Sequence, residues 1–492
     1  MKHFKILYFI IFFSSFLQAQ VGINTSSPDA SASLDVQFKT DSPKGFLAPR
    51  MTTAQRNSIV NPAESLLVFD TDIKAFFYYN TATSAWVKIS SDLVDGRKNY
   101  RLIKTESDFA PELLAGGGNS YKLDSNTYYE INGKIDLAKS IDLNDAYISG
   151  LDANEDILSF PTGTIFKGNT GGSIRNITLI GAKAFDIVGP GISSNSSLLV
   201  QNTITLGMTT AVGNISGFGL YFGNINQFVG NANGLTYSNI GNLLLSNQAW
   251  LASNSGTFEK FTGSFGLIEK GSGFSTVDGS DIALDVSTTG LNVGTGILEG
   301  TVFSGTTSSP TGIIKGYAAA LTYPGYNFSN VWSVNAPGIP RESDDIATGD
   351  INLNAAVGSG ILTTFSGTGS GSRVKVNGTT TSNNLFRFTK DGDNRITYRG
   401  NKKRYFQVAA SVSYQATDDL TLILYIAKNG VVLTETKVYG RGATGFFTSA
   451  GILALPIVGT VELKKDDYVE VWAERYSNAG NMQTLSLNLI AK

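Results

Sequence analysis

The chain carries no cysteine and one histidine, His3. A mature chain that has lost His3 has no thiol nucleophile, no disulfide, no imidazole-centred triad and no Cys/His metal site. The chemistry that remains belongs to carboxylates, Lys, Arg, Tyr, Ser and Thr. The densest carboxylates are Asp124, Glu130, Asp136, Asp142, Asp145, Asp152, Glu155 and Asp156. Two of these held about 5–10 Å apart can cleave a glycosidic bond. Scattered among turn formers, they serve equally well as solvated turns. Asp152-Ala153-Asn154-Glu155-Asp156 opens like a calcium loop. However, Ile157 stands where such a loop needs Gly, and Gly163 where it needs Glu, so it is not an EF-hand. Asp391-Gly392-Asp393-Asn394 reads as a turn. No metal or cofactor is expected.

Two further groups are suited to binding. Arg395, Arg399, Lys402, Lys403 and Arg404 surround Gly400-Asn401 and form either a solvated hairpin loop or a contact for anionic glycans. Tyr317, Tyr323, Tyr326, Phe328 and Trp332 cluster further upstream. Aromatic faces stack on sugar rings, and they also pack as a cap over an apolar core. Tyr323, Tyr326, Trp332, Arg399, Lys402, Lys403 and Arg404 are the ligand-binding candidates. Gly367-Thr368-Gly369-Ser370-Gly371 lacks the Lys-Ser/Thr of a phosphate loop and reads as a flexible segment.

These residues must be positioned by a chain of 492 residues with 16% charged residues and 54 glycines. Low charge with abundant Gly, Asn, Ser and Thr predicts an all-β, turn-rich protein. Lys2 and Lys5, the apolar run Ile6–Phe13 and Ala19 fit a secretory signal peptide over residues 1–19. Its removal leaves a net charge of −4, which gives no reason to expect nucleic-acid binding. No apolar run is long enough for a membrane span. The predicted organisation is an N-terminal module at 20–92, a connector at 93–120, a shaft at 121–340 and a head at 341–492 with its core at 384–492. In the shaft, Asn176-Ile177-Thr178-Leu179 recurs 26 residues later as Asn202-Thr203-Ile204-Thr205. Strand centres near Leu199, Leu220 and Leu244 follow at similar spacing. That period predicts a solenoid of short strands. Residues 187–258 contain no charge and hold eleven Asn and eleven Gly. Internal Asn ladders account for this, and so do faces covered by other copies of the chain.

Three resemblances follow from these residues. Val21-Gly22-Ile23-Asn24, Ser27-Pro28-Asp29-Ala30, Lys44-Gly45-Phe46-Leu47-Ala48-Pro49-Arg50-Met51 and Leu66–Asp70 resemble a module found near the N-termini of secreted Bacteroidota proteins and of tail-fibre-like proteins. Asn24 and Ala48 depart from its usual Gly and Pro. The shaft resembles the right-handed parallel β-helix of polysaccharide lyases and phage tailspikes. Phe406-Gln407-Val408-Ala409-Ala410, Leu424-Tyr425-Ile426-Ala427-Lys428-Asn429-Gly430 and Leu463–Trp472 resemble the globular head of complement-type and tumour-necrosis-factor-like proteins. That resemblance implies a jelly roll that assembles as a homotrimer, with the second apolar face of 420–426 on the three-fold axis. Leu422, Leu424 and Tyr425 are the expected interface residues.

The expectation is therefore an exported, trimeric, fibre-like protein, secreted or on the outer cell surface. It would bind surface glycans or another cell-surface protein. The alternative is a β-helix polysaccharide lyase or glycoside hydrolase that works with carboxylates.

Overall fold

The computed structural model describes residues 20–37, 45–89, 99–308, 312–442 and 451–492. The proposed signal peptide lies outside them. The chain divides into two compact units at Lys98/Asn99. Strands dominate both, as the low-charge, turn-rich composition predicts.

In the first unit, Val21–Ile23 pairs in parallel with Leu34–Val36. Leu67–Asp70, Ala75–Asn80 and Ala85–Ile89 form an antiparallel meander, with Arg50–Met51 added in parallel. The short helix Thr53–Asn57 starts on a capping box between Thr52 and Gln55, which satisfies N–H groups that a first turn leaves unpaired. Its Arg56 is buried over the Phe77 ring at 3.9 Å and pairs with Asp70 at 3.5 Å.

The second unit begins with a parallel β-solenoid. Each full coil has three strands, and a long strand can run through all of them. Ala211–Val229 pairs successively with parts of Thr178–Val188, with Ser197–Gln201 and with Ile204–Leu206 of the coil before. The register gives 26 residues from Thr178 to Ile204, 22 from Ile215 to Tyr237 and 24 from Tyr237 to Phe261. The repeat of 26 seen in the sequence is thus a true coil, and Asn202 donates to Asn176 across it at 3.1 Å. Further along the same coil the offset is 28, with Lys183 opposite Ala211. Corner residues have left-handed backbone at equivalent places in successive coils: Asn176, Asn202, Ile225, Asn247 and Ser272, then Gly300. Asn tolerates this conformation well; Ile does not.

Aromatic rings stack along the interior, with Trp250 4.5 Å from Phe258 and Phe228 5.0 Å from Phe258. Two polar ladders run beside them. Asn226 accepts from the Thr203 hydroxyl at 2.8 Å and donates to the Val200 carbonyl at 3.1 Å and to Gln248 Oε1 at 3.3 Å. Asn231 donates to Thr205 O at 2.9 Å and to Asn254 Oδ1 at 2.8 Å. These carboxamides satisfy buried backbone groups at a corner, which is why the uncharged run is rich in Asn. Just beyond it, Glu259 and Lys270 form an ion pair of 3.0 Å inside the core, and burial raises the Glu259 carboxyl.

Residues 100–120 are the first coil and its cap rather than a connector. Tyr100–Ile103 pairs with Tyr128–Ile131. The helical turns Glu106–Phe109 and Ala110–Ala115 bury Phe109 over the open end of the core. Glu112 accepts from Tyr129 at 2.8 Å and Arg101 at 3.0 Å.

The head is a two-sheet antiparallel sandwich that starts well before residue 384. Gly349–Asn354, Met482–Ala491, Arg404–Ala416 and Leu453–Leu463 form one sheet. Phe388–Lys390, Ile396–Tyr398, Tyr468–Ser477 and Leu420–Lys428 form the other. The alternation Phe406, Val408, Ala410, Val412, Tyr414 faces its core, as do Leu485, Leu487 and Leu489. Asn429 and Gly430 take the left-handed backbone that their hairpin requires.

Candidate functional site

The structure brings most of the predicted binding residues to one place, the junction between the last solenoid coil and the head. There they are largely engaged with the protein itself. Trp332 is 2% exposed and donates from Nε1 to the Tyr317 hydroxyl at 3.0 Å. Its face is packed 5.0 Å from Phe328, so it is no sugar platform. Tyr326 stacks on Phe386 at 3.9 Å, and Tyr323 meets the same ring edge-on at 5.0 Å. Both are half-buried, and burial raises both hydroxyls.

The basic patch is likewise mostly paired. Arg399 bridges Asp391 and Asp466 and donates to Thr389 at 2.9 Å. Arg404 donates to the Asp344 carbonyl and lies over Phe406. Lys403 meets Glu462 at 3.3 Å. Lys402 and Lys403 are exposed, and Tyr405 beside them is 68% exposed. This trio is exposed to an external ligand, with Lys403 and Tyr405 both hydrogen-bonded to Glu462.

The centre of the junction is Arg387, 1% exposed. One guanidinium nitrogen donates to Asp344 and to Asn330 O at 3.1 Å. The other donates to Trp332 O at 2.7 Å and Glu342 O at 3.1 Å. Asp344 also accepts from the Asn401 and Lys402 N–H groups at 3.0 and 2.8 Å. Sequence reasoning missed these residues. The available signal was a charge inside Leu385-Phe386-Arg387-Phe388, since a cation in an apolar strand needs a buried partner.

Glu342 accepts from the Asn327 and Phe328 N–H groups, both at 2.8 Å. Burial nevertheless pushes its carboxyl up to about 7, from an ordinary 4.5. The folded chain therefore holds this proton more tightly than the unfolded chain. The resulting stability is complete below the ordinary value and fades as pH rises through 7. Wild type should lose up to about 3 kcal/mol relative to Glu342→Gln between pH 5 and 8, read from urea midpoints across that window. A pH-independent difference would rule out the buried proton.

Leu422 and Leu424 lie in the sandwich core, and Tyr425 is 2% exposed on the other face with its hydroxyl 2.9 Å from Glu474. The strand 420–428 is covered on both faces within one chain. The three residues are therefore not a surface through which copies meet. The apolar run reflects two-sided burial, which sequence alone does not separate from an interface.

The acidic stretch divides into separate tasks. Asp156 accepts from Gly133, Leu151 and Asp152 N–H groups, and Asp145 from Gly171. Asp142 differs. It belongs to an outward column that reads Lys122, Asp142, Lys167, Asp186, Asn214, Thr236, Lys260, Asp285, Lys315 in successive coils. Alternating charges stacked about 4.8 Å apart attract along the column. Asp142, Lys167 and Asp186 line an open depression of about 590 Å³, and burial raises the Asp142 carboxyl. Among the described residues, no helix is long and apolar enough to cross a membrane, and no group of three or more acidic or histidine side chains is placed to hold a metal.

No curated protein sequence matches the chain significantly. Among solved structures, the Eiger TNF from S. frugiperda aligns at 12% identity over 30% of this chain and 93% of its own, with a TM-score of 0.19. The enzymatically active domain of bacteriophage CBA120 tailspike protein 4 aligns at 9% identity over 90% of this chain and 77% of its own, with a TM-score of 0.23. Scores this low do not establish a shared fold. The sequence match is more specific: residues 22–105 match the family described as the phage tail-like trimerisation region.

Proposed function

We propose that this chain is an exported, homotrimeric, fibre-like surface protein that serves adhesion or ligand recognition. The observation that carries the reading is the trimerisation-region match over 22–105, which runs into the first solenoid strand, Tyr100–Ile103. A segment that joins three chains thus leads directly into a solenoid and, through the Arg387 junction, into a head. The signal-like residues 1–19 and the resemblance of 21–87 to secreted Bacteroidota proteins support export to the cell surface. The resemblance of the head to complement-type and tumour-necrosis-factor-like heads supports both a trimer and a recognition role. Lys402, Lys403 and Tyr405 offer exposed charge beside an exposed ring, a pairing suited to anionic glycans. Light scattering on the secreted chain should give three times the chain mass. A glycan array should lose its positives when Lys402, Lys403 and Tyr405 are all replaced by Ala. A monomer would overturn the trimer, and unchanged array binding would overturn the glycan surface.

One observation favours a second reading. Asp142 and Asp186 line the same depression two coils apart, about 9.6 Å between backbones. That is close to the separation used by inverting glycoside hydrolases. The raised Asp142 carboxyl suits the acid and Asp186 the base. On this reading Asp142→Asn lowers glycan turnover by at least about 100-fold while leaving binding intact. Absence of turnover by the wild type across a glycan panel would dispose of it.

A further inference from the structure

The solenoid surface is divided by character. The face with the Lys122–Lys315 column carries alternating charge. The other two faces, on either side of the corner at Ile225, carry outward apolar residues among Asn, Ser and Gln within the charge-free coils, and Glu269 follows Leu244 in the next coil. On one side, outward Leu199, Phe222 and Leu244 stack in register between the buried Leu198, Tyr221 and Leu243 of their own strands. On the other, Leu206, Phe274 and Val302 are 37, 41 and 42% exposed. Ile225 joins the two sides and is 48% exposed. No charge interrupts residues 187–258. A contiguous exposed apolar surface of this kind is what an interface buries.

Ile225 supplies an independent observation. Its φ is 54°, whereas Asn, Ser or Gly occupies the matching left-handed corner at 176, 202, 247, 272 and 300. A β-branched residue is the worst choice for that backbone. With about half of the residue exposed, packing within the single chain offsets the strain only in part. Burial of this corner against something apolar offsets it.

We infer that this corner is the axis along which three copies of the solenoid pack, each placing one apolar face against the other apolar face of its neighbour. The inference rests on the homotrimer reading and names its surface. A closed ring needs two different patches on every copy, and the apolar surface consists of two patches flanking one corner. The size also fits an assisted interface. About three charge-free coils at roughly 4.8 Å, by about seven residues at roughly 3.3 Å, give roughly 330 Å². Each pairwise contact uses half from each partner, which is below the roughly 1,200 Å² of a self-sufficient interface. It suffices between chains already joined at 22–105, where association of the solenoids is intramolecular. The charged column then faces outward.

The chain has no cysteine, so single-cysteine cross-linking has no background. In the full-length chain, Ile225→Cys treated with a short bismaleimide should shift to covalent dimer on a denaturing gel. Asn214→Cys, exposed on the charged face, should stay monomeric. Ile225→Asn provides a second measurement. At a packed axis it removes apolar contact and lowers the melting temperature, whereas at a free corner it relieves strain and raises it. A wild-type trimer in which Ile225→Cys links no more than Asn214→Cys, or in which Ile225→Asn melts higher, overturns the axis and leaves the trimer standing. A wild-type monomer overturns the trimer itself.

Discussion

Replacing Arg387 by leucine should destabilise the 99–492 unit by about 3–5 kcal/mol, the usual cost of breaking a buried ion pair from one side. The side chain is 1% exposed and is the hub for groups on both sides of the junction. Its loss takes a donor from the Trp332, Glu342 and Asn330 carbonyls, of which Glu342 keeps the Val334 N–H and Asn330 keeps the Asn401 amide, and leaves Asp344 without its counter-charge. Asp344 keeps two backbone N–H donors, so its carboxylate is not wholly abandoned. The cost should therefore fall short of a bare buried charge. Because the lost bonds tie residues 330–344 to the head, the variant should also unfold in two steps where the wild type unfolds in one. Urea unfolding, followed by hydrogen exchange separately in the solenoid and in the head, measures both effects. A midpoint change worth less than about 1 kcal/mol, within the range of an exposed pair, would show that the junction is not held here.

Much of the fold was legible because its signals are local. Alternation in 405–414 and 484–490, the Asn-Gly turn and the Asn176/Asn202 repeat each report a backbone requirement that a few neighbouring residues must meet. The candidate site was legible only in part. Trp332, Tyr326 and Arg404 stand out by residue type, but their engagement depends on Arg387, Phe386 and Asp344, which are brought close where the solenoid meets the head. Proximity of that kind has no period in the sequence. Tyr425 illustrates the converse limit. A strand apolar on both faces looks the same whether its second face is covered by its own chain or by another. The charge-free run 187–258 contained two explanations at once. Its inward Asn residues build ladders, whereas its outward Leu, Phe and Ile residues remain unpartnered within one chain.

The ladders give the second large effect. Asn226→Ala should cost about 3 kcal/mol, whereas Asn214→Ala, exposed on the charged face, should stay within about 0.5 kcal/mol. Asn226 is 2% exposed and uses both ends of its amide. Its carbonyl takes the Thr203 hydroxyl at 2.8 Å, and its nitrogen serves the Val200 carbonyl and Gln248 Oε1. Alanine fills little of the volume and answers none of these groups, so three partners in adjacent coils are left dry and unpaired. Each such loss is worth about 1 kcal/mol or more. Gln248 retains its own donations to Gly223 O and Ser246 O at 3.0 and 2.7 Å. The damage should therefore stop at one coil in each direction instead of unravelling the ladder. Hydrogen exchange resolves this: protection should fall at Thr203, Gln227 and Gln248 and persist near Asn254. Equal stability of the Asn226 and Asn214 variants would mean that the interior amides are dispensable, and the Asn content of the run would then lack a folding cause.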